Sequence, residues 1–143
     1  MHSSIPVLYN DGDILVVDKP AGMLSIPDRY DPDAPVVAAA LRSEWGKLLV
    51  VHRIDKDTTG ILVYARTAEA HRALNLAFGT RTVHKAYRAL VRGMPDWEET
   101  ECDLPLLADG DRLHRTIIDA RRGKNSKTAF AVVERFEGRG ALP

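Results

Sequence analysis

The stretch Val51-His52-Arg53-Ile54-Asp55-Lys56-Asp57-Thr58-Thr59-Gly60 gathers an imidazole, a guanidinium, two carboxylates and two hydroxyls just before the apolar residues 61–65. A polar turn held by a buried strand is fixed on one side and open to solvent on the other, and rigid scaffolds present reactive groups in this way. In an extended backbone Arg53, Asp55 and Asp57 project to one side, and His52, Ile54 and Lys56 to the other. One carboxylate then sits beside a guanidinium, and an active-site loop is the natural expectation. A metal-dependent hydrolase using His52, Asp55 and Asp57 is disfavoured, because the spacing matches no zinc pattern and the register parts His52 from both acids. The plainer use of Asp55 is to close the turn with its carboxylate on the Asp57 or Thr58 amide.

The elements around this loop follow from periodicity and punctuation. Residues 14–17 form a short apolar run ending at Lys19-Pro20-Ala21-Gly22, which predicts a buried strand entering a turn. Asp31 or Asp33 is expected to cap a helix over 34–45, with Pro35 in its first turn and Gly46 at its end. Thr67 is expected to cap a second helix over 68–78, with Glu69 in its first turn and Gly79 beyond it. Residues 83–91 alternate, with Lys85, Tyr87, Ala89 and Val91 on one face, and predict a strand. Residues 116–120 and 128–136 predict a hairpin across the polar 121–127 loop. Strands unevenly separated by two helices imply an α+β fold with a mixed, largely antiparallel sheet and flanking helices.

The chain has 143 residues, 45% of them hydrophobic and 28% charged, which suits one compact domain with a core of its own. A single cysteine, Cys102, excludes an internal disulfide framework. No export signal is recognisable, so the cytoplasm is the default expectation. No apolar run approaches the ~20 residues that cross a bilayer, and no membrane role is expected. Twenty basic and 20 acidic residues cancel, which argues against a general nucleic-acid coat protein. Between residues 94 and 111 every charge is acidic, whereas Arg81, Lys85, Arg88 and Arg92 precede this stretch and Arg112, Arg115, Arg121, Arg122, Lys124 and Lys127 follow it. Sharing a face, the basic segments would follow a phosphate backbone while the acidic loop stays clear.

His-Arg-Ile-Asp-x-x-Thr-Thr-Gly resembles the H-R-[IL]-D-x-x-T-[ST]-G signature of the RluA family of RNA pseudouridine synthases. Other family motifs occur in order. Residues 13–23 are similar to its opening strand and K-P-x-G turn, 85–93 to its K-x-Y-x-A-x-V-x-G strand, and Gly123-Lys124 with Thr128 to its G-K-x-x-x-T hairpin. The resemblance runs from about Val7 to Phe136. The family's C-terminal R-x-H-Q-[IL]-R segment is absent before Pro143, so the resemblance implies one catalytic domain, incomplete at its C-terminus; because the first strand is expected to start close to Met1, no separate N-terminal RNA-binding domain is expected.

The resemblance implies isomerisation of a uridine in ribosomal or transfer RNA, with no cofactor, no metal and a monomeric enzyme. It makes Asp55 the catalytic carboxylate, as nucleophile or as base. Arg53 would enter the stack vacated by the flipped uridine. Tyr87 would stack on the uracil and help remove the C5 proton. Lys19, Lys85 and Lys124 are the further expected RNA contacts. His52 is expected to be packed or hydrogen-bonded. The family's arginine partner for Asp55 lies in the absent segment, so residues 1–143 alone are expected to be inactive. The alternative is a non-catalytic RNA-binding module that keeps the fold.

Overall fold

The structure is a computed structural model that describes residues 5–28, 30–113 and 115–136. The chain divides into two compact units, Met1–Tyr87 and Arg88–Pro143. Both are built on antiparallel sheets, which agrees with the expected α+β class.

The first unit carries β1 (Val7–Asn10), β2 (Ile14–Lys19), the one-turn helices α1 (Val37–Ala40) and α2 (Arg42–Trp45), β3 (Leu49–Val50), β4 (Gly60–Ala65) and α3 (Ala68–Gly79). Its sheet has the order β1-β2-β4-β3. Leu15 and Val17 of β2 lie opposite Tyr64 and Leu62 of β4, and all four are fully buried. With Val37 and Leu41 they form the core, against which Val7, Met23, Trp45 and Val50 pack. Lys19 continues the buried row to the sheet's end, opposite Gly60. The helix α3 begins as expected: Thr67 caps it by accepting from the Ala70 amide at 3.2 Å.

The helix expected over 34–45 starts later and is divided. Its N-cap is Val36, with no side-chain cap, and Pro35 lies outside it. The Leu24 amide donates to the Pro35 carbonyl at 2.9 Å and the Val37 amide to the Leu24 carbonyl at 3.0 Å, so an extended bridge holds the backbone there. The residue before a proline also resists helical geometry. Gly46, at φ +71°, ends α2 as expected.

The second unit has β5 (Glu99–Leu107), β6 (Ile117–Ile118) and β7 (Lys124–Ala131) in the order β6-β5-β7. The expected hairpin over 116–136 is therefore corrected. Its two strands pair not with each other but with the acidic stretch, which is a strand and not a loop. Charge hid the alternation of Glu99, Glu101 and Asp103 with Thr100, Cys102 and Leu104, a period of two that reads as a strand. Gly123 is required where the chain turns into β7, since a Cβ there would meet the Asp119 carbonyl oxygen at 2.4 Å. Residues 83–91 form no strand. Alternation gives a segment a face, but a ladder also needs a partner strand, and none lies alongside among the described residues.

Candidate active site

The loop between β3 and β4 carries Asp55, and its backbone is tied down on both sides of that residue. Before it, Ser25 Oγ donates to the Ile54 carbonyl at 2.7 Å and accepts from the Ile54 amide at 3.1 Å. After it, the Lys56 carbonyl accepts from the Gly22 amide at 2.9 Å and from Lys19 Nζ at 2.8 Å. These partners come from the end of β2 and the turn that follows it. Gly22 suits that turn because φ there is +83°, a region open to glycine at little cost. The turn at Lys56 and Asp57 closes when the Thr58 amide donates to the Asp55 carbonyl at 3.1 Å. The main chain closes the turn, so the Asp55 carboxylate is not used for it. That side chain is exposed and has no hydrogen-bond or ion-pair partner among the described residues.

The extended register holds through Asp55. Arg53 and Asp55 are exposed, Ile54 is buried and His52 is half-buried. The alternation ends at Lys56, which is exposed because the turn begins there. Arg53 has no ion pair among the described residues. His52 Nε2 accepts from the Val63 amide of β4 at 3.0 Å, and its ring stacks on Phe78 of α3 at 4.5 Å. Burial lowers the His52 pKa, with the Lys85 ammonium acting in the same direction.

Lys19 was expected as an RNA contact at the K-P-x-G turn, with a structural role left open. It is 0% exposed, with Nζ donating to the Pro20 carbonyl at 2.9 Å as well as to Lys56. Desolvation lowers its pKa, while the charges of Asp57 and Asp55 oppose that effect. Lys19 is thus a buried cation that braces the loop and feels both carboxylates. Lys85 is exposed and acts electrostatically on His52. Tyr87 is 61% exposed, and its ring and hydroxyl meet no hydrogen-bond or ring partner among the described residues. Lys124 opens β7 in the second unit and is exposed.

In that unit the acidic stretch does not stand clear of the basic segments. Glu98 pairs with Arg135 at 2.6 Å, Glu101 with Lys127 at 2.9 Å and Asp111 with Arg115 at 2.7 Å, while Asp119 holds Arg122 at 2.8 Å. Acidic residues on β5 sit beside β7 because the two strands pair along their length. The expected separation of charges fails for that reason.

Ser25 is the site residue missed in the sequence. It is 3% exposed, and its signal was a lone hydroxyl inside the apolar run Met23-Leu24-Ser25-Ile26. Among the described residues no group of three or more His, Cys, Asp or Glu side chains could hold a metal ion, and no helix is long and apolar enough to cross a membrane.

Comparison with known proteins places this geometry in context. A family model described as RNA pseudouridylate synthase matches residues 13–141. The dual-specificity RNA pseudouridine synthase RluA of Vibrio parahaemolyticus serotype O3:K6 is 38% identical over 131 residues, covering 92% of this chain and 52% of the relative. The protein of that name from Escherichia coli strain K12 is 36% identical over 128 residues, covering 90% of this chain and 58% of the relative. The chain spans about half the length of the curated relatives it matches. Human RNA pseudouridylate synthase domain containing 1 superposes with a TM-score of 0.74 at 26% identity, covering 92% of this chain and 53% of that one. Human RNA pseudouridylate synthase domain containing 4, at 19% identity and a TM-score of 0.63, shares the fold. The matched region holds both the pinned Asp55 loop and the turn that pins it, and the chain belongs to the RNA pseudouridylate synthase family.

Proposed function

We propose that the protein converts specific uridines to pseudouridine in ribosomal or transfer RNA, with Asp55 as the catalytic carboxylate. The observation that carries this reading is the exposed, unpartnered Asp55 side chain on a loop whose neighbours Ile54 and Lys56 are both fixed. A carboxylate on a fixed backbone whose oxygens are not consumed by structure is free to meet a reacting carbon. The C1′–N1 bond breaks, the uracil turns while still bound, C5 bonds to C1′, and the C5 proton is lost. Atoms and electrons balance within the substrate, so the reaction needs no cofactor and no metal.

Asp55 either attacks C1′ or removes a ribose proton. Arg53, exposed two residues away and without an ion pair, enters the stack as the uridine flips out. Tyr87 offers an exposed ring for stacking on the base. Lys85 and Lys124 offer exposed ammonium groups to phosphates, and Lys19 serves the site from within by bracing the loop. The two units act together as one catalytic domain on a stem-loop, in a monomer that works in the cytoplasm.

Release of tritium from RNA labelled at uracil C5 tests the reaction. Ribosomal and transfer RNA are supplied separately to the protein extended to the length of its relatives. Release that disappears in Asp55→Asn supports the assignment. RNA binding without release from either substrate would favour the non-catalytic RNA-binding reading.

A further inference from the structure

His52 lies where a strand stops and a side chain takes over its hydrogen bonding. The last residue of β3, Val50, pairs with Tyr64 of β4, and beyond it the chain turns into the Asp55 loop. The next β4 amide, that of Val63, would then be left without a partner on that side. His52 Nε2 accepts from it at 3.0 Å. A backbone N–H can only donate, so this nitrogen carries a lone pair and the proton of the neutral ring is on Nδ1. The ring is held from its other side by Phe78 in the last turn of α3, with centroids 4.5 Å apart and planes 18° from parallel. One side chain therefore ties the start of the loop to both a strand and a helix.

We propose that His52 is a positioning residue, an acid-sensitive latch whose neutral imidazole fixes the start of the Asp55 loop and whose protonation at Nε2 releases it. A proton on Nε2 would face the Val63 N–H, donor against donor, and the bond cannot persist. Val63 on β4 and Phe78 on α3 present no charge to the ring, and Lys85, from the segment after α3, is the cation that acts on it. That cation opposes a second positive charge, in line with a site built for the neutral ring. His52 is three residues from Asp55, and Ile54 between them is held by Ser25, so movement of His52 reaches the carboxylate through a short, tethered stretch.

The sign of the pH dependence follows from the lowered pKa. The unfolded chain takes up the proton first, so the latch contributes fully above the ordinary imidazole value of 6.5 and its contribution is lost as pH falls below it.

Amide and imidazole NMR of the 143-residue chain, titrated downwards from pH 8, tests the latch without requiring turnover. The ring should be the Nδ1–H tautomer at the start. As it protonates, the Val63 amide should lose about tenfold in protection relative to its intrinsic exchange rate at each pH, and the Ile54, Asp55 and Lys56 amides should shift with it. His52→Gln supplies an acceptor that does not titrate, so it should keep Val63 protected and remove the pH response. His52→Phe keeps a ring against Phe78 but no acceptor, and should leave Val63 unprotected at every pH. The proposal is overturned if the loop amides ignore His52 protonation, if His52→Gln responds to acid as the parent does, or if His52→Phe keeps Val63 protected. The titration of the parent chain decides the matter even if a variant fails to fold.

The functional consequence rests on Asp55 being the catalytic group. The extended protein should show an acid limb in tritium release that His52→Gln flattens. Absence of all release alongside the expected amide behaviour would overturn the catalytic reading and leave the latch standing.

Discussion

Ser25 and Ile54 exchange two hydrogen bonds across 29 positions of sequence, the hydroxyl donating to the carbonyl at 2.7 Å and accepting from the amide at 3.1 Å. Both residues are buried, so neither backbone group has water as an alternative. One hydroxyl thereby holds the residue next to Asp55 at both of its polar backbone atoms. The turn after β2 and the loop before β4 are consequently one structural unit, although the sequence separates them by a pair of helices.

Ser25→Ala should be costly for its size. It leaves a buried N–H and C=O without partners, a loss of about 1–3 kcal/mol. Urea unfolding measures it. A cost below ~0.5 kcal/mol would show that the loop relaxes to find other partners. In the extended protein the same change should lower turnover more than RNA affinity, because it loosens Asp55 without touching an exposed cation.

Asp55→Asn should abolish tritium release and leave the fold intact, since the side chain is exposed and supports no hydrogen bond. Asp57→Asn should retain much of the activity, because Asp57 occupies the turn and acts on Lys19 only through its charge. Equal losses in the two variants, measured side by side, would remove Asp55 from its special position.

The sequence reading of the first unit succeeded where pattern and position agreed. Residues 14–17 are apolar and lead into the Lys19-Pro20-Ala21-Gly22 turn, and 61–65 are apolar and follow the polar loop, so strands were legible at both places. Thr67 with Glu69 marked the start of α3 for a physical reason, the orphan amides of a helix N-terminus. The misreadings came from long-range pairing. A bridge to Leu24 delays α1, and β5 inserts between β6 and β7, and neither contact leaves a local trace. At the site, the loop and its exposed Arg53 and Asp55 were legible. The burial of Lys19 was not, because a lysine beginning a Pro-Ala-Gly turn usually faces solvent, and here it extends a buried row.

Arg53→Ala should reduce modification of a structured stem-loop more than that of a short single-stranded substrate. Only the stem-loop must be unstacked, at a cost of a few kcal/mol. Comparing tritium release on the two substrates provides the measurement. Matching losses would mean that Arg53 serves Asp55 directly.

Tyr64→Phe should leave stability unchanged or raise it by up to about 1 kcal/mol. The Tyr64 ring is fully buried in the core, but its hydroxyl is buried without a hydrogen-bond partner among the described residues. Removing it deletes a desolvated polar atom and keeps the ring that packs on Leu15. Thermal unfolding would refute this if the midpoint fell by several degrees, since that would require a partner for the hydroxyl.

Residues 1–143 alone should release no tritium, and a C-terminal extension carrying R-x-H-Q-[IL]-R should restore release. Three observations lead to this expectation. Asp55 has no cation in ion-pair contact among the described residues, and a fixed positive neighbour is what aims a carboxylate at a reacting atom. The Tyr87 ring, proposed to stack on the uracil, stands exposed in a segment whose alternation calls for a strand it does not form. The relatives named as synthases are about twice as long as the matched region. An added segment would supply the cation, and a strand beside residues 83–91 would convert their alternation into a ladder and bring Tyr87 under cover. Hydrogen exchange of the Tyr87 and Ala89 amides should therefore slow in the longer protein as activity appears. Turnover by the 143-residue chain at the rate of the extended protein would show that Asp55 needs nothing beyond the cations already present, with Lys19 and Arg53 the first to test.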